Sequence, residues 1–278
     1  MANYTTADIK ELRERTGAGM MDVKKALDEA DGDTAKALEI IRVKGLNKAS
    51  KREGRATAEG LVAATVVDGA GYMLELNAET DFVAKNEKFV ELANKALEAA
   101  VANNVADVDA LLAAKIGDNT VAEEIEELSG VLGEKIQLRR LEKVEGALVK
   151  AYLHKTSQDL PAQVGVLFAV DGTGEAAETA AHDVAVHAAA MAPVYLTRED
   201  VPEDLVAEER RIAEETARAE GKPEQALPKI IEGRMTGFFK EKVLVDQPFA
   251  KDTKQSIQQV LDAAGVKAVA FARFRVGA

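Results

Sequence analysis

Apolar residues along this chain shift from alternating to helical spacing, and the same shift occurs twice. Leu61-Val-Ala-Ala-Thr-Val-Val67 and Tyr72-Met-Leu-Glu-Leu76 read as strands around an Asp68-Gly-Ala-Gly71 turn. A polar connection follows, then a helical run with Phe89, Val90, Ala93, Leu97 and Val101. Glu145-Gly-Ala-Leu-Val149 then echoes Glu59-Gly-Leu-Val62, again leading into a strand, a break, a second strand (Val164–Val170) and a helical run over 175–191. This order points to a duplicated β-β-α unit. The identity between the copies is weak, so two unrelated α+β segments remain the alternative. Further helices are expected at 107–115, 119–138 and Ser256–Ala263, with a closing strand at Val269–Val276.

The flanking segments differ from this pattern. Residues 5–45 read as three short helices: Ile9 and Leu12 mark the first, and Val23, Ala26, Leu27 and Ala30 the second. The third carries Ala37, Leu38 and Ile41, with Asp33 as its cap and Gly45 as its stop. Residues 202–242 read as an antiparallel helical hairpin broken at Gly221-Lys-Pro223. Leu205, Ile212 and Ala219 fall at spacing seven on its outgoing helix, and Ile230, Ile231, Met235, Phe238 and Phe239 line the return. The phenylalanines are expected at its base, buried in a larger core. The expected fold is α+β, with a three-helix module at 1–46, a connector at 47–55 and a first core subdomain at 56–142. A second core subdomain at 143–201 and 243–278 is interrupted by the hairpin at 202–242.

Composition narrows the chemistry. A formal net charge of −12 argues against free nucleic acid as a direct partner. Residues 1–55 carry twelve Lys and Arg against ten Asp and Glu, and Lys48, Lys51, Arg52 and Arg55 form a basic run read as a solvated connector. There is no cysteine, which removes disulfides, thiolate metal sites and thiol catalysis together. No leader and no membrane-length apolar stretch is found, so the cytoplasm is the expected compartment. A phosphate-binding G-x-x-x-x-G-K-[ST] loop is missing, and His182 and His187 stand five apart, off the spacing of a helical metal pair. The run Glu123-Glu-Ile-Glu-Glu127 reads as a solvated helix face. Nothing argues for an enzyme, a cofactor or a bound metal.

Two segments remain unexplained. Asn77-Ala-Glu-Thr-Asp-Phe-Val-Ala-Lys-Asn86 is a polar connection that holds a Phe-Val pair beside an acid. Residue type favours Phe82 tucked under the loop; the alternative is an exposed aromatic anchor, aimed by Thr80 capping a short helical turn. In Arg13–Asp22, Met20 and Met21 follow a glycine turn and cannot both face a small three-helix core, which suits one of them to a partner surface. Ordinary packing of both remains open.

Arg15-Thr-Gly-Ala-Gly-Met-Met-Asp22 and Thr80-Asp-Phe-Val-Ala-Lys-Asn86 resemble the two signature stretches of the elongation factor Ts family. The resemblance extends through Gly133-Glu-Lys-Ile-Gln-Leu-Arg-Arg140, Tyr152-Leu-His154, Gly221-Lys-Pro223, Glu232-Gly-Arg-Met235, Gln247-Pro-Phe249 and Arg273-Phe-Arg-Val-Gly277. It implies a module like ubiquitin-associated domains, two related α+β core subdomains and a coiled-coil hairpin. It also implies a guanine nucleotide exchange factor for the GTPase elongation factor Tu. By match, Asp81 and Phe82 would displace the partner's Mg²⁺, with Thr80 and Val83 shaping the wedge. Arg13, Met20 and Met21 would grip a helix of the same partner domain, Gly133 would lie in a further contact, and His154 would meet a more distant domain. The resemblance leaves room for a homodimer in a two-to-two complex. Many relatives add a C-terminal helix, and a partner contact made by it is expected to be absent or replaced here. The rival readings are a ribosome-linked polypeptide-binding adaptor and a structural dimer held by the hairpin.

Overall fold

The computed structural model describes residues 3–16, 18–49 and 54–278, with residues 45–49 described by backbone alone. Helices α1 (Thr6–Thr16), α2 (Met20–Glu29) and α3 (Thr34–Ala49) enclose a small cluster of Leu12, Val23, Ala26, Leu27, Ala37 and Ile41. Asp33 caps α3, its carboxylate accepting from the Ala35 and Lys36 amides at 2.9 and 3.1 Å. Gly45 does not stop α3, which continues to Ala49. One glycine inside a helix costs only about 1 kcal/mol relative to alanine, too little to end it without a competing turn. Of the basic run, Lys51, Arg52 and the Lys48 side chain lie outside the described residues.

Beyond the connector come β1 (Glu59–Val67), β2 (Ala70–Ala78), the single turn α4 (Asp81–Ala84), α5 (Glu87–Asn103) and α6 (Val108–Ala113). A two-residue ladder, β3 (Lys115–Ile116) with β4 (Asn119–Thr120), leads to α7 (Val121–Leu132) and β5 (Ile136–Glu145). The expected helix over 119–138 therefore ends early. Gly133 takes a left-handed φ of 82° after Leu132, and a strand starts three residues later. That strand escaped the sequence reading because Arg139 forms a bulge opposite the Glu75–Leu76 step. The bulge shifts the alternation, so Ile136, Leu138 and Leu141 all reach the helical side while Arg140 turns to the other face.

The second half repeats this plan with β6 (Leu148–His154), β7 (Val164–Val170), α8 (Glu175–Met191) and, after the hairpin, β8 (Pro248–Phe249), β9 (Asp252–Ser256), α11 (Ile257–Ala263) and β10 (Ala268–Arg275). The hairpin consists of α9 (Glu203–Ala219) and α10 (Leu227–Lys242). The two main sheets run in the orders β1-β2-β5 and β6-β7-β10, wholly antiparallel. Each places the second strand of its opening hairpin in the middle and its last strand at an edge. This shared topology supports the duplication that the weak sequence echo suggested.

The sheets stack face to face between two helical layers. On β2, Tyr72, Leu74 and Leu76 point to the α5–α7 side, while Met73 points to the second sheet. On β7, Val166, Phe168 and Val170 point to α8 and α11, while Leu167 and Ala169 meet the first sheet. Both central strands are therefore covered on both faces, as period-two side chains require in a middle layer. The sheets approach closely at Gly165, where a Cβ would lie 2.5 Å from Val62 Cγ1 and 2.7 Å from Met73 Sδ.

A buried carboxylate also joins the sheets. Glu75, fully inaccessible, accepts from Arg140 Nε (2.7 Å) and Nη2, Asn77 Nδ2 (3.0 Å) and the Gly277 amide (3.2 Å). Arg140 also donates to the Arg275 carbonyl at 3.0 Å and stacks on Phe274, 4.4 Å from its centroid. These bonds tie the last residues of the chain to the strand that leads into α4.

The hairpin seam differs from the expected one. Val206, Ala213 and Ala217 of α9 face Leu227, Ile231 and Met235, whereas Ile212 is 42% exposed. Phe238 and Phe239 are half-buried within this same cluster, 5.4 Å apart, with Arg198 over Phe239. Small alanines at the seam allow the helices to close on each other, so the larger residues one step round stay outside.

Candidate functional site

The segment after β2 carries an exposed aromatic ring on a fixed backbone. α4 is one turn long, closed by Ala84 N–H to Thr80 O at 3.2 Å and Lys85 N–H to Asp81 O at 3.1 Å. Val83 and Ala84 are buried in the cluster that holds Phe89 and Leu92 of α5, and Asn86 caps α5 through the Lys88 amide at 2.9 Å. Helical geometry then forces Phe82 to the opposite side, where it is 75% exposed. The expectation from residue type, burial under the loop, is therefore overturned. Val83 and Ala84 take the core side of this turn, which leaves Phe82 on the side facing water.

Asp81 is half-buried beside Phe82 and pairs with Lys85 at 3.0 Å. The Lys85 ammonium also sits 4.9 Å from the centroid of the Phe82 ring. An acid, an exposed ring and a cation thus share one turn and the residue after it. At this surface the ion pair contributes only about 0–1 kcal/mol, so Asp81 can exchange Lys85 for another cationic or hydrogen-bonding partner at little cost.

Thr80 takes the cap position of α4 but not the capping role expected of it. Its hydroxyl makes no bond to the turn. Instead, the Thr80 amide donates to Glu134 Oε2 (2.9 Å) and its hydroxyl to Glu134 Oε1 (2.6 Å). In the neighbouring pair the roles reverse: the Lys135 amide donates to Glu79 Oε1 at 2.7 Å. Arg55 approaches the same Glu79 carboxylate at 3.2 Å. Glu79 and Glu134 had no assigned role in the sequence reading. Each adjoins a strand end, but fifty-five residues separate them, so only the β2–β5 register brings them together.

Met20 and Met21 are both exposed, at 56% and 61%, on the first turn of α2. The tertiary fold sets them near the same corner of the molecule as α4. Lys88, in the first turn of α5, donates to the Arg15 carbonyl at 3.1 Å and reaches Glu14 O at 3.5 Å, at the C-terminus of α1. A cation suits that end of a helix dipole. α3 also lies along α7, with Arg42 and Glu127 paired at 3.0 Å. Arg13 is exposed on α1, and Gly133 is exposed at the turn beside Glu134. His154 lies apart from this corner, exposed at the end of β6 and stacked on Tyr152 with ring centroids 6.2 Å apart.

The other conspicuous histidine is structural. His187 Nδ1 accepts from the Ala250 amide at 3.1 Å, which leaves Nε2 to donate to Gln247 Oε1 at 2.9 Å. Burial pushes its pKa down, against the opposing effect of the Gln247 bond. Among the described residues, no group of three or more His, Cys, Asp or Glu is arranged to hold a metal ion. Among the same residues, no helix is long and apolar enough to cross a membrane.

A family model described as Elongation factor TS matches residues 79–278, a span that begins at the first residue of the Glu79–Glu134 arrangement. The chain also aligns over 100% of its own length and of the relatives' length with proteins named elongation factor Ts. These include proteins from Renibacterium salmoninarum (74% identical), Arthrobacter sp. (69%) and Micrococcus luteus (68%). The chain belongs to the elongation factor Ts family. Membership brings with it a role as a nucleotide exchange factor in translation elongation. Within the family frame, the exposed ring, its acid and the two methionines are candidates for contact with a protein partner.

Proposed function

We propose that this protein binds the GDP form of elongation factor Tu, dislodges its Mg²⁺ with the Asp81–Phe82 turn and so releases GDP. The observation that carries this reading is the 75% exposed phenyl ring of Phe82 on a turn anchored through Val83 and Ala84. A GTPase holds its nucleotide through a phosphate cradle and a Mg²⁺ that neutralises phosphate charge. A wedge that shifts the ion removes a large electrostatic contribution without contacting base or ribose. Thr80 and Val83 hold the wedge, one through Glu134 and one through the core. Arg13, Met20 and Met21 grip the same partner domain from the module over residues 1–46, Gly133 lies in an adjoining contact, and His154 meets a second partner domain.

No bond is made or broken. The factor binds nucleotide-free partner more tightly than loaded partner, and linkage then weakens nucleotide binding by the same ratio. Exchange therefore accelerates in both directions, and the cytoplasmic excess of GTP sets the outcome. The test is release of a fluorescent GDP analogue from elongation factor Tu at fixed Mg²⁺, with and without this protein. Acceleration that is lost in Phe82→Ala, with the variant still folded, supports the reading. Equal acceleration by wild type and Phe82→Ala would refute the wedge.

A further inference from the structure

We propose that Glu134 and Glu79 are positioning residues for the wedge, because their carboxylates extend the β2–β5 ladder two residues past its last backbone pair. This inference rests on the reading of Asp81 and Phe82 given above. The last paired residues of that ladder are Ala78 and Ile136. Continuing the same antiparallel register pairs Glu79 with Lys135 and Thr80 with Glu134, and these are the residues joined by the side-chain bonds. Lys135 N–H reaches Glu79 Oε1 at 2.7 Å, and Thr80 N–H and O–H reach the two oxygens of Glu134 at 2.9 and 2.6 Å.

The physical reason is divergence. Beyond Ala78 one chain must curl into α4, while its partner arrives from α7 through the left-handed turn at Gly133. Backbone carbonyls no longer face the opposing amides, and a glutamate side chain spans the wider gap. Ionised acceptors also make stronger bonds than carbonyls. Each glutamate has a second hold: Ser129 of α7 donates to the Glu134 backbone carbonyl at 2.5 Å, and Arg55 lies 3.2 Å from the Glu79 carboxylate.

The exposed ring cannot fix its own direction, so its order comes from the backbone beneath it. One end of α4 is held by Val83 and Ala84 in the core, and the other by Glu134. A wedge already ordered before contact loses less conformational freedom when it inserts. Releasing Glu134 leaves the core anchor and the methionine surface in place, so it acts on the insertion step more than on encounter.

The experiment compares Glu134→Ala, Thr80→Val, Thr80→Ser and Phe82→Ala in the same nucleotide-release assay, using the full chain at increasing concentration. Thr80→Val, which removes one of the two bonds, is expected to lower the maximal release rate about tenfold, the scale of one hydrogen bond to a charged group, and Glu134→Ala, which removes both, to lower it further. The half-saturating concentration stays close to wild type, and Thr80→Ser, which keeps the hydroxyl, restores the rate. Glu134→Gln, with a single acceptor oxygen, falls between and serves if the alanine variant does not fold. The chain has no tryptophan, so Phe82→Trp introduces a single reporter. In that background Glu134→Ala should speed local reorientation of the indole in anisotropy decay, with Tm unchanged. Wild-type maximal rates in folded Glu134→Ala and Thr80→Val would overturn the positioning role if Phe82→Ala is inactive. An active Phe82→Ala would instead overturn the wedge on which the inference rests.

Discussion

Replacing Glu75 with glutamine tests whether the buried carboxylate holds the two sheets together. The change preserves shape and removes a charge on which three side-chain donors and one backbone amide converge. An amide offers one acceptor oxygen, so at least one donor from Arg140, Asn77 or Gly277 must then face an NH₂ group. Breaking a buried ion pair by removing one partner typically costs about 3–5 kcal/mol. Arg140 is not wholly buried, its side chain being 32% exposed, so water recovers part of that loss. A cost of about 2–3 kcal/mol follows, equivalent to a fall of about 5–10 °C in Tm for a chain of this size. Circular dichroism melts of wild type and Glu75→Gln would read it. The double variant Glu75→Leu/Arg140→Leu should recover only part of the loss: it removes the unpaired Arg140 charge, but Asn77 and the Gly277 amide lose their acceptor. A Glu75→Gln melt indistinguishable from wild type would refute the reasoning. So would a double-mutant cycle without coupling between residues 75 and 140, since the contact would then be geometry without energy.

Three other outcomes are expected. Phe89→Ala, at a fully buried ring in α5, should lower stability by about 3–5 kcal/mol in denaturant titration, whereas Phe82→Ala should cost well under that because its ring is mostly in water. Equal losses would return Phe82 to the core. His187 is held below its ordinary value of 6.5 by burial, so the unfolded chain takes up its proton first as pH falls. Its contribution is therefore complete above that value and declines below it; Tm should drop between pH 7.5 and 5.5, more steeply in wild type than in His187→Gln. Bridging out residues 206–236 should leave nucleotide release measurable, since Ala213, Ala217, Leu227, Ile231 and Met235 pack mainly on one another. A folded deletion with no exchange would show that the hairpin belongs to the working surface.

Local patterns carried a large share of this architecture. The alternation around the Asp68–Gly71 turn placed β1 and β2, the Val164–Val170 run placed β7, and Asp33 and Ser256 acted as caps because capping depends on the next three residues alone. The signature residues were equally legible as a motif. Their geometry was not. Whether Phe82 or Val83 enters the core depends on how a single turn is clamped, and Thr80 is held by a residue fifty-four positions away. β5 stayed hidden because its bulge at Arg139 breaks the alternation, and that bulge is also what sets Arg140 opposite Glu75. The hairpin seam runs through Val206, Ala213 and Ala217 rather than Leu205, Ile212 and Ala219, because helix–helix contact selects small alanines, a choice only the partner helix can make. The sequence by itself determined most of the elements, the likeness to a family and the signature residues of the candidate site. Tertiary structure decided which of those residues face water and which carboxylates aim them, because those properties arise from contacts between segments with no local trace of each other.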